Sequence, residues 1–219
     1  MQRLALFPLG TVLVPGLVLP LRVFEPRYRS LVEDLMALPE PQRVFGVVAI
    51  KAGHEVGEGA ASALHEVGTT AVIRHVSDNG DGTYELVTSG AVRFRLHGVD
   101  EAAGTPYLTG MVSALADPAD EEDGTALAVL ANKVSAAYSA YRDQLGLEPP
   151  ELPSSARVLS YLVAAGMLLE LTDRQLLLEQ PDTTRRLAAE ARLLVREHHL
   201  ISQLAALPSS EPWDVPTPN

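Results

Sequence analysis

The sequence predicts an α+β fold: a β-rich first half closing into a small barrel with one embedded helix, followed by a helical bundle. Three observations carry this. Up to about residue 116 the apolar runs are short and punctuated by Pro and Gly, the mark of strands and turns. An acidic stretch, Asp-Pro-Ala-Asp-Glu-Glu-Asp-Gly at 117–124, then breaks the composition. Beyond it, apolar residues recur at three- and four-residue spacing, the period of a helix face. The expected division is a β-rich unit over 1–116, a helical bundle over 117–207 and a Pro-rich tail over 208–219 that holds the only Trp, Trp213.

Taken in order, Leu4–Phe7, Val12–Val14 and Val18–Phe24 read as short strands around the Pro15-Gly16 turn. Pro26 suits the first turn of a helix, and Tyr28, Leu31, Val32, Leu35 and Met36 form its apolar stripe until Pro39 and Pro41 end it. Val44–Ile50 reads as a buried strand and Gly53–Ala63 as a small-residue loop. Thr69–Val76 and Tyr84–Thr88 flank Asn79-Gly80-Asp81-Gly82, a strong hairpin signal. Ser89-Gly90 reads as a turn into a strictly alternating strand that places Val92, Phe94 and Leu96 on one face. Tyr107–Leu115 is the last strand. A long helix carries Leu127, Leu130, Val134, Tyr138, Tyr141 and Leu145; Ser155–Leu169 is a second. Thr172 with Gln175 suggests a capping box for a third. Asp182 caps a fourth, with Leu187, Ala191, Leu194, His198, Ile201 and Ala205 along one side.

Composition narrows the function. Seventeen Lys+Arg against 28 Asp+Glu give a net charge of −11, which argues against nucleic acid, because phosphate binding needs a basic face. Cys is absent, so disulfides, thiolate nucleophiles and Cys-ligated zinc are excluded. Leu4–Leu21 carries no charge, but three prolines and two glycines interrupt it, so it does not read as a membrane span. The expected setting is cytoplasmic.

Catalytic and metal motifs fail on spacing. His54-Glu55 and His65-Glu66 lack the second His four residues on, and His198-His199 are adjacent on a helix and point apart. No phosphate-binding loop, dinucleotide fingerprint or nucleophile elbow is present. The acidic cluster at 117–123 reads as a solvated linker feeding charge to the next helix start rather than a cation site. No cofactor, metal or catalytic residue is therefore assigned. Arg27 and Arg29, and Arg93 with Arg95, offer guanidiniums to a carboxylate or phosphate, with surface ion pairing as the ordinary reading. Val14, Leu17 and Val18 surround the Pro-Gly turn, where apolar side chains are either core or displayed to a partner. Val14, Leu17, Val18, Arg93 and Arg95 are the candidate peptide-binding residues.

The motifs of the first half also carry a resemblance. Leu6-Phe7-Pro8-Leu9-Gly10-Thr11-Val12-Leu13, Pro15-Gly16, Leu19-Pro20-Leu21 and Phe24-Glu25-Pro26-Arg27-Tyr28 resemble the N-terminal domain of Lon proteases. Phe45-Gly46-Val47-Val48, His65–Thr69, Gly90 with Arg93-Phe94, Asp173–Glu179 and Asp182-Thr183 with Arg186-Leu187 agree in order and spacing. The resemblance implies a PUA-like β pseudobarrel followed by a helical bundle. It also implies a non-catalytic role in recognising unfolded or degron-bearing protein segments, with a protease or chaperone as a further candidate partner. No Walker motif or Ser–Lys protease domain accompanies it, so the chain reads as a stand-alone substrate-binding protein without proteolysis or ATP hydrolysis. The shared residues are expected to be architectural. Gly10, Gly16 and Gly46 would allow turns or close approach, and Pro8, Pro15 and Pro20 would fix extended backbone. Glu25 would accept from amides at the helix start or pair with Arg27. Phe24, Pro26 and Tyr28 complete the set. A bound peptide would lie in the crevice between barrel and bundle. The alternative is a small-molecule-binding protein or unrecognised hydrolase using that crevice, which needs a His and a carboxylate within hydrogen-bond reach there. RNA binding would rest on fold analogy alone.

Overall fold

A computed structural model describes residues 1–51, 64–117, 124–148 and 150–205. Six strands and five helices appear in the order β1 (Gln2–Leu9), β2 (Val18–Val23), α1 (Pro26–Met36), β3 (Val44–Ala49), β4 (Val67–Asp78), β5 (Tyr84–Val99), β6 (Thr109–Ala114), α2 (Gly124–Gln144), α3 (Ala156–Gly166), α4 (Leu171–Glu179) and α5 (Thr183–Ala205). The sheet order is β2-β5-β4-β3-β1-β6, and β6 also pairs with β5. The pairings therefore close a ring, with β2 appended to β5. β1 and β3 are the parallel pair, joined through β2 and α1; the other pairings are antiparallel.

The elements form for local reasons. Pro26 opens α1, where its fixed φ suits the helix and its missing N–H costs nothing. Tyr28, Leu31, Val32 and Leu35 of α1 then pack on Phe7, Leu13, Val23 and Phe45. Inside the ring, Leu6, Val48, Phe94, Leu96 and Val112 make a second cluster. The four C-terminal helices bury Val134, Tyr138, Tyr141, Val163, Leu177 and Leu187 among themselves. Ser155 Oγ accepts from Val158 N at 3.4 Å to start α3, and Asp182 Oδ1 accepts from Arg185 N at 2.7 Å to start α5. A fourth cluster joins strands to helices: Val12, Val14, Ala49 and Val67 meet Tyr161 and Leu178. No helix among the described residues is long and apolar enough to cross a membrane.

Several expectations need correction. Val12–Val14 is buried but irregular rather than a strand, because it leaves the ring to pack on the helices. Ser89-Gly90 is not a turn: β5 runs through it for 16 residues, and Gly90 there admits the close approach of another segment. Val92 is 49% exposed while Phe94 and Leu96 are buried, because β5 changes surroundings along its length. Thr172 does not cap α4; Glu170 occupies the N-cap, and Gln175 is instead buried, donating to Val67 O and Glu179 Oε1. His198 is exposed, off the packed side of α5. Gly10 has no neighbour within 4 Å of an added Cβ and keeps an ordinary φ, so nothing here requires glycine. At Gly46 an added Cβ would meet Leu4, Leu6 and Phe94 side chains at 2.9 Å. Pro8 lies within β1 and Pro20 on β2, at the open edge that tolerates proline. Phe24 follows β2 and is 64% exposed. Arg27 takes Glu25, through Nε at 2.8 Å, and the Glu25 side chain does not cap the helix. The 53–63 loop, the acidic run beyond Asp117, Trp213 and the tail lie outside the described residues.

Candidate functional site

The Pro15-Gly16 turn is fastened onto β5. Gly16 adopts φ +84°, a left-handed conformation that glycine reaches without strain. Gly16 N donates to Gly90 O at 2.9 Å, and Gly90 N donates to Leu17 O at 2.9 Å. A Cβ on Gly90 would come within 2.2 Å of Val14 O, so the missing side chain is what lets the turn lie flat on the strand.

This turn forms one wall of a cavity of about 590 Å³, within the range of ligand pockets. Pro15, Leu17 and Ala91 face α2 and α3, which supply Tyr138, Arg142, Arg157, Val158, Tyr161, Leu162 and Ala165. The walls are mostly apolar, and the crevice lies where strands meet helices.

Its floor is held by a buried polar network centred on Asp117. Tyr161 Oη donates to Asp117 Oδ2 at 2.6 Å, and Arg186 Nη2 donates to Oδ1 at 3.3 Å. Arg93 pairs with the same Oδ1. Arg93 Nη1 also donates to the carbonyls of Leu178, at 2.7 Å, and Gln180, at 2.5 Å. Arg186 Nη1 donates to Ser160 Oγ at 3.1 Å, and its guanidinium stacks 4.0 Å from the centroid of the Tyr161 ring. Burial works against the charge on Asp117, but the Tyr161 hydroxyl and the two guanidiniums outweigh it and hold the carboxyl below its usual range. Burial pushes the Tyr161 phenol up, and the bond to Asp117 adds to that.

The five candidate binding residues separate. Leu17 is half-buried and lines the crevice. Val14 is 4% exposed and belongs to the core beneath it. Val18 is 59% exposed at the start of β2, outside the lining. Arg93 is 2% exposed, so its ion pair is buried rather than on the surface, and both terminal nitrogens are spent within the fold. Arg95 is half-exposed, pairs with Glu66 at 3.3 Å and lines a separate polar depression with Lys51, His65 and Gln175. Sequence reasoning missed Asp117, Tyr138, Arg142, Arg157, Val158, Tyr161 and Leu162. Arg157 and Val158 stand exposed in the first turn of α3, ahead of its buried residues, and no sequence pattern marked them.

In the polar depression, His65 Nδ1 lies 3.7 Å from Glu179 Oε1, beyond hydrogen-bond range. Burial lowers the His65 pKa, with Glu179 opposing and Lys51 adding to the shift. This pair does not face the crevice. Among the described residues no group of three or more His, Asp or Glu is placed to hold a metal.

Comparison with known proteins settles the family. Residues 3–196 match the family model of the ATP-dependent protease La (LON) substrate-binding domain. The chain belongs to the Lon substrate-binding domain family. Lon protease 2 of Myxococcus xanthus is 31% identical over 211 residues, covering 91% of this chain and 24% of that protein. Lon protease 1 of Herpetosiphon aurantiacus is 28% identical over 208 residues, covering 91% and 25%. The chain thus spans about a quarter of the length of these curated relatives. Among solved structures, the Lon N-terminal domain protein from Xanthomonas campestris is 26% identical, with TM-score 0.61, over 95% of this chain and 100% of that one. The N-terminal domain of Mycobacterium avium complex Lon protease shares the fold, with TM-score 0.63 over 90% and 98% at 16% identity.

Proposed function

We propose that the chain is a non-catalytic protein-binding module that takes extended, unfolded or degron-bearing polypeptide segments in the crevice between the Pro15-Gly16 turn and helix α3. The observation that carries this reading is the apolar cavity of about 590 Å³ at the junction of strands and helices, in a chain of the Lon substrate-binding domain family. A mostly apolar groove suits clients that vary in sequence but share exposed apolar side chains. On this reading the β part is a PUA-like pseudobarrel over 1–116, the helices are a bundle over 117–207, and a cytoplasmic protease or chaperone receives the client.

The test is titration of a chemically unfolded, fluorescently labelled model protein, followed by anisotropy. Val158 is 48% exposed on the crevice wall, so Val158→Asp changes the surface without opening the core. It should weaken binding at least tenfold, about the value of one buried aliphatic contact, and Leu17→Asp should act alike. Undiminished binding by both variants rejects the crevice as the site.

A further inference from the structure

The chain is strongly acidic, at −11, yet the described residues lining the crevice include two arginines, Arg142 and Arg157, against one carboxylate, Asp117. Asp117 is the one carboxylate among the described lining residues, and it already faces two buried guanidiniums, Arg93 and Arg186. Arg142 and Arg157 also line the crevice. Arg142 is steadied by donating Nε to Glu148 O at 3.0 Å and by lying 5.9 Å from the centroid of the Tyr138 ring. Arg157 is exposed beside Val158, and its guanidinium makes no hydrogen bond or ion pair among the described residues.

We infer that the crevice selects client segments in which a carboxylate side chain lies one or two residues from a large apolar one. The apolar side chain fills the space between Leu17, Val158 and Leu162, and the carboxylate meets the Arg157 guanidinium, whose fork of donors matches two carboxylate oxygens. This rests on the peptide-binding reading above and adds a sign to it: in a protein of this net charge, an acidic client would otherwise be repelled.

Calorimetric titration of three short peptides, acetylated and amidated to remove terminal charge, tests it. They are identical except for Glu, Gln or Lys beside a Leu-Phe pair. The Glu peptide should bind the intact chain about tenfold more tightly than the Gln peptide, the scale of a charge-assisted hydrogen bond. The Lys peptide should bind most weakly, and added salt should narrow the differences. Arg157→Gln should bring the Glu peptide to the level of the Gln peptide. Arg157→Lys should restore part of the preference. Arg157 is exposed, so these variants keep the fold. Equal affinity for Glu and Gln peptides, or a Glu preference that survives Arg157→Gln, overturns the inference alone. Absence of binding by any peptide, or binding unaffected by Val158→Asp, overturns the crevice reading with it.

Discussion

Glu190 illustrates how single residues store pH sensitivity in this chain. It sits on α5 at 0% exposure, and neither carboxylate oxygen has a hydrogen-bond partner among the described residues. Burial raises its pKa, with the charge of Arg186 opposing. The folded state thus holds this proton more tightly than the unfolded chain, where a Glu titrates at about 4.3. Its contribution to stability is complete below that value and erodes as pH rises toward the folded pKa. Glu190→Gln keeps the shape and removes the titration. It should raise the melting temperature by a few degrees near pH 7 and change little near pH 4, checked by thermal melts across that range. Asp117 has the opposite sign. Its lowered pKa gives stability that is present above about 3.9 and lost as acid protonates it. Arg93 shows why such roles are hard to read from sequence. In the alternating text of residues 92–97 it looks like the solvent side of a strand, and only the helices arriving from 80 to 90 residues later cover it.

At the scale of elements, β5 is the piece on which the others are hung. It pairs with β2, β4 and β6, and receives the Pro15-Gly16 turn at Gly90. Gly90→Ala forces Val14 O and the new methyl apart from 2.2 Å. The expected cost is about 1–3 kcal/mol, typical of overpacking, measured by urea unfolding. Client binding should fall as well, since the turn is a crevice wall. Helix α1 was legible because all its signals are local: Pro26 at the start, an apolar stripe, and prolines beyond the end. The β4–β5 hairpin was legible from its Asn-Gly and Asp-Gly turn, where Gly80 and Gly82 have φ of 75° and 81°. Gly90 was misread because a glycine admitting a distant backbone and a glycine making a turn look the same in one dimension. The crevice was placed between strands and helices by fold reasoning, but its lining from α2 and α3 depends on helix packing that no local pattern encodes.

For the whole molecule, the Asp117 network decides whether strands and helices behave as one body. Arg93 from β5 and Arg186 from α5 meet on a single carboxylate, beside the apolar seam of Val12, Val14, Tyr161 and Leu178. Removing that charge strands two buried guanidiniums, a loss of about 3–5 kcal/mol by comparison with other broken buried pairs. Asp117→Asn should therefore turn a single unfolding transition into two. Hydrogen exchange followed by mass spectrometry checks this: amides of β5 and α5 should open together in the parent chain and at different denaturant concentrations in the variant.

The closed ring of strands also has a cost in time. β1 takes its partners from β3 and from β6, the latter about a hundred residues further along the chain. During synthesis at about 5–20 residues per second, the uncharged segment from Leu4 to Leu21 waits for several seconds before β6 has been made. Until β6 is made, the apolar residues of β1 lack one of their two neighbouring strands.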